Sequence, residues 1–416
     1  MNFERLLAPD YLAHPLLDPN YFTRDPEGAV ALRQALDDMR RGPDAYNAHL
    51  NRLLRPWDDP RSLGQNMAVI HSYLREVDLY LREMLQLVPA PAARALGPLP
   101  LVTGTNDLMA LMAIMFTSED RQARYEAQRK IGLARLFFDV DHTDDVQNGP
   151  AHTRRLEECL ARELWARVTR ARRLTVSYSL TSDGQSIHYR LGAPGPGEDS
   201  WPVHLRRISR PVGGKPTHVH VFYHSCRFKR RYRFRKVEPL APEEIDPEDM
   251  PIWEELRRGM SGSIVSKMIR KGEIDPQKIG DLIGAMFIVK NATEVERLQA
   301  MLYDIFGGPF RWREAVDTIK SHDDRSRLHE QSSGGFQVRK SLVGVLHRPD
   351  DATRPPYIFN VEFQIYTLEG FLRTVHNRHE ASHEQLKLRQ FLEGLLPYLF
   401  PARIYGEETL RACLLK

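Results

Sequence analysis

The sequence predicts an α+β chain: a mixed β-sheet flanked by helices, preceded by a helical amino-terminal region and a β-rich middle segment. Three observations carry that prediction. Apolar residues recur at threes and fours in the first third, β-branched and aromatic residues gather in short runs in the middle, and the last third alternates strand-like with helix-like runs. The boundaries fall at residues 1–173, 174–250 and 251–416.

In the first region, Met67, Ile70, Leu74, Val77, Leu81 and Leu85 mark one face of an amphipathic helix between Ser62 and Val88. The proline-rich stretch Val88 to Ala92 ends it. Asn106 or Asp107 caps the next helix, through Phe116, and Ser118-Glu-Asp caps another that reaches Phe138. Thr153 to Arg173 is expected to form one further helix, with Arg167, Arg170, Arg172 and Arg173 at the carbonyl end of its dipole. The cluster Asp139-Val-Asp141-His142-Thr-Asp144-Asp145 has metal-ligating residue types, but no adjacent His-Asp pair lies in this region and only His71 lies upstream. It reads as a solvated acidic loop.

In the middle, Leu174 to Leu180 and Ser186 to Leu191 flank the turn signal Ser182-Asp183-Gly184, which predicts a hairpin. Strands follow near Val203 to Ile208 and His218 to His224. The run Arg227 to Lys236 interleaves Phe228, Tyr232 and Phe234 with basic residues. As a ligand surface it suits tRNA or other RNA, because cations meet phosphates and rings stack on unpaired bases. As structure it is an edge strand, charged outside against aggregation and aromatic toward the core, and this reading is preferred. Ala241 to Pro251, rich in acids and prolines, has the composition of a linker.

The last third centres on Ile358 to Thr367. Phe359, Val361, Phe363 and Ile365 alternate with Asn360, Glu362, Gln364 and Tyr366, the period-two pattern of a half-buried strand whose polar face carries Glu362 and Gln364. Upstream, a second strand opens with Asp281 and is followed by a helix over Thr293 to Ile305. If the two strands pair, both carboxylates meet, and two carboxylates hold a Mg2+ ion that also grips phosphates.

Composition sets outer limits. The 416 residues suffice for two or three domains, and 42% hydrophobic with 27% charged residues is ordinary for a globular protein. The net charge of +4 permits polyanion binding without arguing for it. Three scattered cysteines, Cys159, Cys226 and Cys413, fit a reducing cytosol and have no metal-ligand spacing. The amino terminus lacks a secretory pattern, and the longest apolar run, Leu108 to Phe116, is too short to cross a bilayer.

Four blocks, in order, resemble the RelA/SpoT-type synthetase domain over about a third of the chain. Arg257-Arg-Gly-Met-Ser-Gly-Ser263-Ile-Val-Ser-Lys267 is similar to the family's phosphate-wrapping stretch, with Gly259 where a Lys is usual. Asp281-x-x-Gly284-x-Met286 resembles Asp-x-x-Gly-x-Arg, with Met286 in place of Arg. Gly334-Gly335-Phe336-Gln337 resembles the Gly-Tyr stretch that stacks on the acceptor base, and Lys340 sits where a His is common. Val361-Glu362-Phe363-Gln364-Ile365-Tyr366-Thr367 resembles Val-Glu-x-Gln-Ile-Arg-Thr, with Tyr366 in place of Arg. A helix rich in His and Glu, Leu368 to Arg389, follows, and His379 or His383 is the family histidine.

The resemblance implies a nucleotidyltransferase-like fold that moves pyrophosphate from ATP to the 3'-hydroxyl of a guanine nucleotide. It implies Asp281 and Glu362 as the Mg2+-binding catalytic carboxylates, and Arg257, Ser263 and Lys267 around the ATP phosphates. Phe336, Gln364, Lys340 and His379 would then meet the acceptor. Each departure removes positive charge or a donor from a site that handles triphosphate. Loss of one such donor typically costs about 2.7–4 kcal/mol in the transition state. Arg270, Lys271, Arg339 and Lys340 are the nearby candidates to restore that charge. Two other outcomes stay open: a toxin-type member that modifies the 3' end of tRNA, and a catalytically silent descendant that binds nucleotide or a partner.

Overall fold

The structure is a computed structural model that describes residues 15–54, 61–174, 176–182, 185–191, 203–228, 263–319, 337–349, 355–375 and 383–413. The chain divides into two compact units, each built from separated segments. Met1–Thr143, Arg230–Ile279 and Gln390–Lys416 form the first; Asp144–Lys229 and Gly280–Arg389 form the second. The class is α+β, with a seven-stranded mixed sheet and helices.

The described part of the first unit is helical. Its longer helices are α1 (Pro26–Met39), α2 (Pro43–Leu53), α3 (Leu63–Leu85), α4 (Leu108–Thr117) and α5 (Arg121–Asp141). Side-chain caps fix several helix starts, among them those expected at Asp107 and within Ser118-Glu-Asp. Ser62 and Gln65 form a reciprocal capping box on α3, Asp107 accepts from the Ala110 amide, and Asp120, the last residue of Ser118-Glu-Asp, accepts from the Gln122 amide. On α3, Leu74, Val77, Leu81 and Leu85 are buried as expected, whereas Met67 is 39% exposed.

Helix α5 carries two fully buried cations. Arg129 donates to the Leu399 carbonyl at 2.6 Å and to the Tyr405 hydroxyl oxygen at 2.9 Å; Lys130 pairs with Asp78 at 2.6 Å. Buried charge is tolerated only with partners of this kind. No helix among the described residues is long and apolar enough to cross a membrane.

After a single helical turn, the second unit runs through α6 (Gly149–Glu163), β1 (Val168–Leu174), β2 (Val176–Ser182), β3 (Gln185–Leu191), β4 (Val203–Val212) and β5 (Lys215–Phe228). Here one expectation is overturned: the single helix over Thr153 to Arg173 is α6 followed by strand β1. Leu156, Leu160 and Leu164 continue the helical stripe into the core, but β-branched Val168 and Thr169 begin a run that pairs with β4. Arg170 and Arg172 are exposed on that edge strand, where charge guards against edge-to-edge pairing. The predicted hairpin is present as β2 paired antiparallel with β3. Gly213 and Gly214, at φ of 55° and 77°, supply the left-handed backbone of the tight turn between β4 and β5.

Helix α7 (Ser263–Lys271) belongs to the first unit. The second unit resumes with β6 (Ile283–Val289), α8 (Ala292–Phe306), β7 (Trp312–Asp317), β8 (Arg339–His347), β9 (Tyr357–Thr367) and α9 (Leu368–Val375). The large sheet runs β1-β4-β5-β6-β9-β8-β7, and β6 and β9 are its parallel pair, with Gly284 beside Glu362. Ala285 and Phe287 of β6, Val361 and Phe363 of β9, Leu156 of α6 and Leu298 of α8 share one core on one face of the sheet. Of the helix expected over Leu368 to Arg389, the described residues give α9 at its start and α10 (His383–Gly394) at its end, and residues 376–382 between them lie outside the described residues.

Candidate active site

Period-two geometry sends Phe359, Val361, Phe363 and Ile365 into the core and Glu362, Gln364 and Tyr366 to the other face. That other face is more enclosed than the half-solvated surface the alternation suggests. Glu362 is 1% exposed and Tyr366 6%. An unpaired carboxylate so deeply buried would cost several kcal/mol.

Glu362 is compensated from three strands. Lys340 on β8 stands opposite Gln364 and brings Nζ to 2.7 Å from Glu362 Oε1. Arg227 on β5 brings Nη2 to 3.1 Å from Oε2, and Gln364 Nε2 donates to that same oxygen at 2.6 Å. The Tyr366 hydroxyl donates to Gln364 Oε1 at 3.3 Å, which turns the amide nitrogen toward the carboxylate. Tyr366, where the resemblance expects a cation, therefore extends a hydrogen-bond chain and adds no charge. Its ring packs edge-on against Phe371 of α9, and burial raises the phenol pKa.

The reach of Arg227 follows from register. Arg227 on β5 pairs with Gly284 on β6, and Gly284 pairs with Glu362 on β9. A Cβ at Gly284 would lie 3.0 Å from Arg227 Nε and 3.3 Å from the Glu362 carbonyl oxygen. The missing side chain lets the guanidinium cross over β6.

Asp281 lies in the turn just ahead of β6, not in the strand, and is 8% exposed. Burial works to lower the Lys340 pKa, but Glu362, then Asp281 and Glu314, outweigh it, so the net shift is upward and the ammonium stays charged. Glu314 sits at φ 49° where the β7–β8 register shifts.

Asp281 and Glu362 are the residues whose oxygens would suit a divalent cation, and in this structure both Glu362 oxygens are engaged by Lys340, Arg227 and Gln364. Two carboxylates offer the hard oxygens Mg2+ takes, and the Lys340 ammonium against Glu362 is a stand-in positive charge. No group of three or more His, Cys, Asp or Glu side chains able to hold a metal occurs among the described residues.

Of the sequence-derived residues, Asp281, Lys340, Glu362 and Gln364 lie in the second unit. Ser263, Lys267, Arg270 and Lys271 lie on α7 of the first, where Ile264, Val265, Met268 and Ile269 form the buried face. Lys267 and Arg270 are half-buried and Lys271 is exposed. Arg257, Phe336 and His379 fall outside the described residues, as do residues 229–236 of the basic run.

Within that run, Arg227 and Phe228 end β5, an interior strand and not the edge expected. Phe228 does pack against the core, with Cys226 beside it in the alternation. Arg227, like Ser225, therefore faces the Glu362 side. Reading Arg227 only as part of a basic stretch missed it, although the alternation His224, Cys226, Phe228 against Tyr223, Ser225, Arg227 carried the signal.

The Asp139–Asp145 stretch is mostly helical and not the loop expected: Asp139 and Asp141 end α5, and Asp144 and Asp145 open a short helix, Asp144–Gln147. Asp139 pairs with Arg135 at 2.7 Å, Asp141 accepts from the Tyr73 hydroxyl at 3.0 Å, and His142 stacks on Phe138 at 4.0 Å at the end of α5. His71 lines a separate cleft of about 840 Å3, its Nε2 2.9 Å from Arg75 Nη1.

Neither a protein-family model nor a curated protein sequence matches the chain. Among solved structures, the chain is similar to the small alarmone synthetase 1 from Bacillus subtilis bound to its product pppGpp, at 18% identity and a TM-score of 0.23, covering 36% of this chain and 70% of that one. A second structure of the same synthetase gives 14% identity and a TM-score of 0.24, covering 46% and 77%. At these scores the function has to be read from the chain's own residues.

Proposed function

We propose that the Glu362 face of the second unit takes a Mg2+-nucleotide, and that the chain transfers pyrophosphate from ATP to the 3'-hydroxyl of a guanine nucleotide. The observation that supports this reading is the buried carboxylate of Glu362 held by Lys340 and Arg227 on one face of a mixed sheet, with Asp281 buried in the turn just ahead of β6. Two cations held on one buried carboxylate have the composition of a site that exchanges internal pairs for phosphate contacts.

In the proposed reaction the 3'-hydroxyl oxygen bonds to the β-phosphorus of ATP. The bond from that phosphorus to the α–β bridging oxygen breaks, and AMP leaves with the electron pair. Glu362 accepts the hydroxyl proton, for which it must come within hydrogen-bond reach of the acceptor. Gln364, fixed by Tyr366, keeps the carboxylate oriented while that happens. Bound Mg2+ supplies neutralisation of the phosphate charge. Arg257, Ser263, Lys267, Arg270 and Lys271 as phosphate ligands, and Phe336 and His379 as acceptor contacts, belong to the proposal on the resemblance.

The test is incubation of the purified chain with terminally labelled ATP, Mg2+ and either GDP, GTP or tRNA. Label in a guanine nucleotide, lost in Glu362→Gln, is the expected result. Label in tRNA would instead favour the toxin-type reading through the basic run. Label in neither acceptor, from a chain shown to be folded and to bind ATP, would favour the silent descendant.

A further inference from the structure

We propose that Arg227 is a phosphate-binding residue of the Glu362 site, releasing the carboxylate to hold a phosphate of a nucleoside triphosphate; this rests on the reading that the site takes such a ligand. Four observations support it. Arg227 reaches Glu362 across a strand that carries glycine where any side chain would obstruct it. A guanidinium has five N–H donors, and here Nη2 serves Glu362 while Nε is buried without an acceptor. A donor so placed carries a penalty that an incoming phosphate oxygen removes. The side chain as a whole is 37% exposed, so a ligand can approach it.

The fourth observation concerns Glu362. Its Oε2 accepts from both Arg227 and Gln364, so Arg227 can depart without leaving that oxygen bare. Lys340 stays on Oε1. A guanidinium presents its donors in a fork that matches two phosphate oxygens at once, which an ammonium cannot do. Arg227 is thus suited to the ligand, and Lys340, drawn also by Asp281 and Glu314, to the carboxylates.

The experiment is calorimetric binding of ATP and of adenosine, with Mg2+, to the full chain and to Arg227→Gln, Arg227→Lys and Gly284→Ala. Arg227→Gln should weaken ATP binding roughly ten- to a hundredfold and leave adenosine unchanged. Arg227→Lys should recover part of the loss. Gly284→Ala, which keeps the charge but displaces it, should weaken ATP selectively, so the result does not depend on one variant folding.

Several results would overturn the proposal: ATP bound as tightly by Arg227→Gln as by the parent, ATP and adenosine weakened in equal proportion, or no ATP binding by the parent chain. Arg227-dependent ATP binding without any pyrophosphorylated product would defeat the proposed reaction and leave this inference standing. Transfer activity with an unchanged KM for ATP in Arg227→Gln would do the reverse.

Discussion

Replacing Gly284 with alanine tests the row Arg227, Gly284, Glu362 directly. The added Cβ would lie 3.0 Å from Arg227 Nε, 3.4 Å from Arg227 Cγ and 3.3 Å from the Glu362 backbone oxygen. Two of those contacts are with a side chain that can swing away; one is with a paired strand that cannot. Alanine is favoured over glycine inside a strand by about 0.5–1 kcal/mol. Overpacking opposes it at about 1–3 kcal/mol. The expected net effect is a destabilisation of about 1 kcal/mol, measured by urea unfolding, with the guanidinium displaced from Glu362. In an Arg227→Ala background the two side-chain contacts vanish, and Gly284→Ala should become neutral or stabilising. The double-mutant cycle should therefore show a coupling of about 1 kcal/mol or more. Strict additivity would refute the reasoning, and so would a loss above about 4 kcal/mol in the single variant, which would put the conflict in the backbone.

Arg129→Met should lower stability by about 3 kcal/mol, because the Leu399 carbonyl and the Tyr405 hydroxyl lose their buried donor. Limited proteolysis of the segment from Leu396 onward should accelerate, and an unchanged cleavage rate would count against that anchoring. Ser266→Ala and Tyr80→Phe each remove the buried 2.8 Å bond between these hydroxyls and should each cost about 1–2 kcal/mol, with the double variant costing less than their sum. His152 is 1% exposed and stacks on Phe359 at 4.2 Å; burial, then neighbouring His347, lowers its pKa to about 4. The unfolded chain therefore binds more protons between pH of about 6.5 and about 4, and stability falls by about 2 kcal/mol from this residue as pH drops through that window. His152→Phe should flatten that slope, and an unchanged acid profile would refute the assignment.

Much of the local structure was legible before the fold. The alternation over Ile358 to Thr367 identified β9 and its two faces, the periodicity from Met67 to Leu85 identified α3, and the cap at Asp107 placed the start of α4. The placement of 168–174 was not legible, because its arginine-rich composition suits a helix end and only pairing with β4 makes it a strand. The character of the Glu362 face was half legible. Alternation sets Glu362 and Gln364 on one side, but it cannot report that Lys340 and Arg227 cover that side and leave Glu362 1% exposed.

What the chain determines by itself lies within a few residues of each position: periodicity, capping chemistry and the glycines of the β4–β5 turn, all set by backbone sterics and side-chain reach. What only the tertiary structure decided is which distant residues share a row. Arg227, Gly284 and Glu362 are consecutive across three strands although 135 positions separate the first from the last. That register is chosen by the whole sheet's burial of its other face, a condition that no local stretch of sequence contains.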